Sequence, residues 1–147
     1  MSYTAQVSEL IYPLVTQHPD DRGPATHNSD WVSLRDYHRA WLFLDMGDMG
    51  VLSTVTAGLQ QATDTTGTGV KAITGKTITQ LTQASGDAGS LVCIELQTEE
   101  LDVDGGFDCV RFYVTTVVNT VIYSATLFGL ISRYKPVPTT NWNERVA

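Results

Sequence analysis

Residues 109–131 read CVRFYVTTVVNTVIYSATLFGLI, and this stretch decides the fold. Apolar and polar side chains alternate along most of it, and β-branched and aromatic residues are frequent. Such residues fit the pleated, half-buried surface of a β-sheet. The stretch therefore predicts two long strands, at residues 109–117 and 120–131.

The same alternation extends towards the N-terminus. It predicts further strands at residues 31–34, 39–45, 51–61, 71–74, 77–81 and 91–97. Turn-forming segments rich in Gly, Asp and Thr separate them, at residues 46–50, 63–69, 85–89 and 102–106. In the third strand, Val55, Ala57 and Leu59 are expected on one face. Short strands at regular spacing, with no long amphipathic helix, predict an all-β fold: a single, jelly-roll-like β-sandwich with extended N- and C-terminal arms.

Three regions are predicted along the chain: an N-terminal arm at residues 1–28, the β-sandwich body at 29–134 and a C-terminal tail at 135–147. The arm contains an apolar cluster at residues 10–15. Pro13 lies inside this cluster and argues against a regular helix, so we expect an extended segment.

Four residues of the two predicted arms are candidates for a partner interface: Leu10, Ile11, Tyr12 and Trp142. The apolar cluster needs a surface to cover it, either its own sandwich or a neighbouring subunit. Trp142 stands among polar residues and is expected to anchor the tail on an apolar surface.

Composition argues against several classes of function. The 147 residues carry a net charge of −7, with only nine Lys and Arg residues, so direct binding of nucleic acid is not expected. A basic patch on a partner would match this charge better. Residues 1–9 lack the pattern of a signal peptide, and no apolar run has the length of a membrane span.

Candidate chemistry is sparse. Residues 102–106 resemble the start of a calcium loop, but the twelfth position is Tyr113 where a Glu is required. The histidines His18, His27 and His38 are dispersed, and the acidic run at 99–104 suits a solvated rim. We therefore predict no catalytic residues, no metal site, no cofactor and no enzymatic activity.

The two cysteines, Cys93 and Cys109, each lie in a predicted strand and form no CxxC pair. Free cysteines usually behave as small buried hydrophobic residues. Burial is therefore favoured for both, and the sequence leaves a disulfide between them open.

Several segments together suggest a family. They are residues 60–69 (QQATDTTGTG) with 71–75, the acidic residues 100–103 before the strand at 107–114, and the ending SRYKP at 132–136. These segments resemble a group of small proteins of tailed bacteriophages that are often encoded close to the major capsid protein. The resemblance implies a structural virion protein, a head decoration or cement protein that binds and stabilises the capsid.

What this resemblance implies about partners and location is specific. The partners would be the major capsid protein and the chain itself, as a homodimer or homotrimer, with no direct nucleic-acid contact and no membrane. The protein would lie on the capsid exterior after assembly in the host cytoplasm. Removal of residues 1–15 would then abolish capsid binding and leave the body folded.

Two alternatives remain open from the sequence. The first is a neck, tail or baseplate component of the phage particle. The second is a carbohydrate-binding β-sandwich, favoured if Trp31, Tyr37 and Trp41 line an exposed groove. Trp41 lies in the most apolar strand, which favours a core position for it instead.

Overall fold

The computed structural model describes residues 6–133 and 141–144. This part of the chain has one short helix, α1 (Val7–Leu10), and ten strands. The strands are β1 (Ile11–Arg22), β2 (Ala25–Asn28), β3 (Val32–Ser33), β4 (Tyr37–Met49), β5 (Thr54–Ala62), β6 (Lys71–Thr77), β7 (Leu81–Thr82), β8 (Leu91–Gln97), β9 (Cys109–Val117) and β10 (Val121–Ser132). Single 3-10 turns follow β7, at Gln83–Ser85, and β8, at Thr98–Glu100.

The strands form two antiparallel sheets. Sheet A has the order β1-β10-β4-β8, and sheet B has the order β2-β9-β5-β6, with β3 also paired to β9 and β7 to β5. When the two-residue strands β3 and β7 are set aside, the chain crosses between the sheets at every step except β5 to β6. This order is that of a jelly roll, with two four-stranded sheets. The predicted all-β sandwich is confirmed.

The core lies between the two sheets. Alternation places one side of each strand inside, so Val55, Ala57 and Leu59 of β5 are fully buried, as expected. Sheet A contributes mainly Leu42, Leu44, Tyr123, Ala125 and Leu127, and sheet B adds Val110, Phe112 and Val114.

The predicted N-terminal arm differs from what the structure contains. Residues 11–22 form β1, which pairs with β10 along most of its length, and β2 pairs with β9. Pro13 is accommodated because β1 is an edge strand with an irregularity between Pro13 and Val15. Most of residues 11–28 are thus part of the two sheets.

Other boundaries also shift. β4 continues through the predicted turn at 46–50 to Met49, β5 begins at Thr54 instead of 51, and β6 passes through Gly75 without a break. Of the predicted tail, residues 141–144 are described. Its boundary with the body at 134–135 lies outside the described residues, as does most of the ending at 132–136.

Candidate protein-binding face

The first three candidate residues lie where α1 joins β1. Leu10 and Ile11 are half-buried, and Ile11 is paired with Leu130 of β10. Tyr12 points the opposite way: it is 6% exposed and stacks on Tyr37, with ring centroids 6.3 Å apart and an angle of 8° between the planes. Tyr12 is therefore a core residue and not available as a surface anchor.

The fourth candidate, Trp142, lies near the same strand. Asn141 donates a hydrogen bond from Nδ2 to the carbonyl oxygen of Pro13, at 2.8 Å. Trp142 is half-buried. The structure thus brings the N-terminal and C-terminal candidates together along β1, at the edge of sheet A.

Beside this edge, the outer side of sheet A carries three large aromatic residues. The rings of Trp41 and Phe43 are 5.7 Å apart, edge to face, and Trp41 and Phe128 are 5.9 Å apart. Leu42 and Leu44 occupy the core, so the residues that alternate with them point outwards. We refer to Trp41, Phe43, Phe128, Leu130 and Ile11 as the aromatic face.

All five residues of the aromatic face are half-buried rather than buried. The core position favoured for Trp41 from its apolar strand is therefore wrong, because periodicity gives two faces without saying which is inside. The indole Nε1 of Trp41 is shielded from solvent and has no hydrogen-bond partner among the described residues, and the same is true of Trp142. Unpaired buried donors are uncommon in native proteins and destabilise them.

Charged residues flank the aromatic face. Glu95 of β8 is paired with Trp41, and Asp45 follows Phe43 by two residues on the same side of β4. Both are exposed. Arg39 is also exposed on this side of β4 and is paired with Leu130, so a complementary surface would be apolar at its centre and carry charges of both signs at its rim.

Cys93 lies on this side of sheet A and is paired with Phe43. It is exposed and free, whereas Cys109 is free and buried in sheet B. The prediction of burial thus holds for Cys109 and fails for Cys93, because β8 presents Ile94 and Leu96 to the core and Cys93 to solvent.

The aromatic groove of the carbohydrate-binding alternative is not formed. Trp31 lies against sheet B, with the guanidinium of Arg111 4.6 Å above its ring. Tyr37 is buried, and Trp41 is on the outer side of sheet A. The three residues do not share a surface.

Two of the acidic residues at 99–104, Glu100 and Asp102, are held by local contacts. Glu100 accepts a hydrogen bond from the Gln97 amide at 2.8 Å and forms an ion pair with Lys76. Both contacts lower the pKa of Glu100, and the hydrogen bond from Gln97 has the larger effect. Lys71 lowers the pKa of Asp102 through a direct hydrogen bond. Within the described residues, no group of three or more His, Cys, Asp or Glu side chains is arranged to hold a metal ion.

Comparison with family models, curated proteins and solved structures finds no match for this chain. None of the helices in residues 6–133 and 141–144 has the length and apolarity needed to cross a membrane.

Proposed function

We propose that this chain is a structural virion protein that decorates and stabilises the head of a tailed bacteriophage. The observation that supports this function best is the aromatic face. It is an outward-facing cluster, mostly on the central strands β4 and β10 of sheet A, and the chain segments with the N- and C-terminal candidates lie beside it. Buried aromatic anchors carry much of the binding energy at protein interfaces.

The proposed partner is the major capsid protein. A decoration protein binds a shell that is already assembled, so a preformed, rigid contact surface limits the entropy lost on binding. The aromatic residues here stand on β4 and β10, at the centre of sheet A, rather than on a loop. The flanking Asp45, Glu95 and Arg39 favour a rim of mixed charge on the capsid subunit.

Cys93 gives a direct test of this contact. A bulky maleimide on its thiol would stand beside Phe43 and obstruct the aromatic face. We expect the alkylated protein to bind heads that lack the decoration protein at least tenfold more weakly than the unmodified protein, measured by co-sedimentation. Retention of full affinity after complete alkylation would contradict the proposal.

The matched control is Cys93→Ser exposed to the same reagent. This variant leaves only the buried Cys109 thiol and keeps an open face, so its affinity should equal that of the untreated wild type. Circular dichroism of both samples establishes that alkylation has not unfolded the sandwich.

Copy number separates a head position from a neck, tail or baseplate position. A decoration protein follows the symmetry of the shell and is present in hundreds of copies, whereas the other components form single small rings or spikes. Quantitative mass spectrometry of intact particles measures this ratio against the major capsid protein.

A further inference from the structure

Two neighbouring turns at one end of the sandwich present aliphatic side chains to solvent. Val51 and Leu52 lie in the turn between β4 and β5 and are 66% and 65% exposed. Val117 and Val118, 46% and 60% exposed, lie where β9 leads into β10. We refer to these four residues as the aliphatic tip.

The backbone of the aliphatic tip is strained. Leu52 has a φ of 63° and Val118 a φ of 76°, in the left-handed region that Gly, Asn and Asp normally occupy. For a β-branched valine this conformation is a genuine outlier. Gly or Asn at these two positions would make the folded state more stable, so the presence of aliphatic side chains there indicates a role in binding.

The two turns hold each other in place. The amide of Gly50 donates to the carbonyl oxygen of Thr120 at 2.8 Å, and a Cβ on Gly50 would collide with the Asn119 side chain. Asp21 and Asp48 are exposed and line a shallow cavity with Gly50 and Thr120. No Lys or Arg among the described residues lines it, so the tip is apolar with an acidic flank.

The opposite end of the sandwich contains a cleft of about 580 Å³ with complementary properties. Leu34, Leu101 and Phe107 contribute apolar walls, and Arg35, His38, Arg39 and Arg133 also line it. This volume lies within the range of ligand pockets, roughly 300–1,000 Å³.

The cleft keeps a positive charge after its internal pairs are counted. Asp108 is paired with Arg35 at 2.7 Å, so these two charges cancel. The remaining charged residues of the lining are Arg39 and Arg133, which are positive, and Glu99, which is negative. Arg133 donates to the carbonyl oxygen of Tyr37 and to Thr98. Arg39 is exposed, and its side chain forms no hydrogen bond or ion pair with the described residues.

The strands place the two features at opposite ends. β4 starts at Tyr37 beside the cleft and ends at Met49 beside the tip, and the antiparallel β10 runs from the tip back to the cleft. Thirteen extended residues separate the ends by about 40 Å.

We propose that the aliphatic tip of one copy inserts into the basic cleft of the next copy, so that this chain associates head to tail. The acidic flank of the tip would face the arginines of the cleft, and the exposed Val and Leu side chains would meet the apolar walls. Such a contact is heterologous and builds closed rings or open chains. This contact involves none of the five residues of the aromatic face and no capsid, so self-association can be tested independently of the proposed function.

Sedimentation velocity of the purified full-length protein tests this contact. We expect the weight-average sedimentation coefficient to rise with protein concentration and to fall as salt screens the charges. The double variant Leu52→Asn/Val118→Asn replaces two of the four apolar side chains of the tip, and Arg39→Glu reverses a cleft charge. Each variant alone should remain a monomer.

A mixture of the two variants gives the decisive result. The tip variant keeps an intact cleft and the Arg39→Glu variant keeps an intact tip, so an equimolar mixture should form a dimer and stop there. Leu91→Thr, which removes an equally exposed leucine (65%) from β8, is the matched control and should associate like the wild type.

Three results would overturn the head-to-tail contact. They are a wild-type protein that stays monomeric at all concentrations, a tip variant that still associates, and a variant mixture that forms no dimer. Binding of the wild type to neutral phospholipid vesicles through the tip, without self-association, would assign the tip to a membrane instead. Thermal melts show whether the tip variant is folded. Because Asn tolerates a positive φ, this variant should be at least as stable as the wild type.

Discussion

At the residue scale, the two cysteines differ in environment. Burial raises the pKa of the Cys109 thiol to about 11, and the thiol also donates to the Asp108 carboxylate at 3.2 Å, which favours its protonated form. The thiolate is the reactive species, so Cys109 is protected both by burial and by its protonation state. Cys93 is exposed on β8 and lacks the protection of burial.

We therefore expect N-ethylmaleimide at pH 7.5 to modify one thiol per folded chain, at Cys93, and both thiols after denaturation in guanidinium chloride. Peptide mass spectrometry identifies the modified site. Cys93→Ser should reduce labelling of the folded protein to nearly zero. Rapid labelling of Cys109 in the folded state would contradict its buried position in β9.

At the element scale, the sequence predicts some strands accurately and misses others for a physical reason. β8 and β9 are found with their observed bounds because Gly- and Asp-rich turns precede both strands and their alternation is regular. For β1, the sequence predicts only the extended segment at residues 10–15, because the turn-rich residues 18–22 do not resemble a strand. Residues 20–22 are stabilised by pairing with β10, about 100 residues away, and an edge strand tolerates polar side chains.

The candidate site shows the same limit. Alternation identifies Trp41 and Phe43 as neighbours on one side of β4 but gives no way to decide which side is covered by the second sheet. Only the partner strands decide this. The four candidate residues lie in segments that the structure brings to one edge, whereas the sequence favours a core position for Trp41, the central residue of the aromatic cluster beside them, because its strand is apolar.

Gly129 in β10 gives a prediction for a single element. A Cβ at this position would lie 2.7 Å from the Tyr37 ring, which packs directly on the glycine backbone. Gly129→Ala should therefore displace Tyr37, and with it the stacked Tyr12, and destabilise the fold by roughly 1–3 kcal/mol. Chemical denaturation measures this change.

Gly23→Ala is the matched control for this substitution, since no atom lies within 4 Å of an added Cβ and its φ is not in the left-handed region. It should change stability by no more than about 0.5 kcal/mol. Equal effects of the two substitutions would mean that the close approach of Tyr37 is not what requires glycine at position 129.

At the scale of the whole molecule, the pairing of β1 with β10 joins the two ends of the jelly roll. Residues 11–22 pair with residues 121–130 in a ladder that two register shifts interrupt, and Tyr12 adds a buried side chain at one end of it. A chain with a detachable N-terminal arm would lose that arm without consequence for the body. This fold should instead unfold as one unit, because β1 covers an edge of the central strand pair β10 and β4.

Tyr12→Ala distinguishes these two possibilities. Removal of a buried aromatic side chain typically costs about 3–5 kcal/mol, and 1 kcal/mol shifts the Tm of a domain of this size by about 2–4 °C. We expect differential scanning calorimetry to show a single transition lowered by roughly 10 °C. Val7→Ala, at an exposed position of α1, should leave the Tm within about 2 °C of the wild type. An unchanged main transition in Tyr12→Ala would mean that residues 11–22 are an independent arm, and deletion of residues 1–15 would then be tolerated.

If the Tm falls as expected, deletion of residues 1–15 removes part of the sandwich itself. A loss of capsid binding by the truncated protein would then result from unfolding and not from the loss of a direct contact with the capsid.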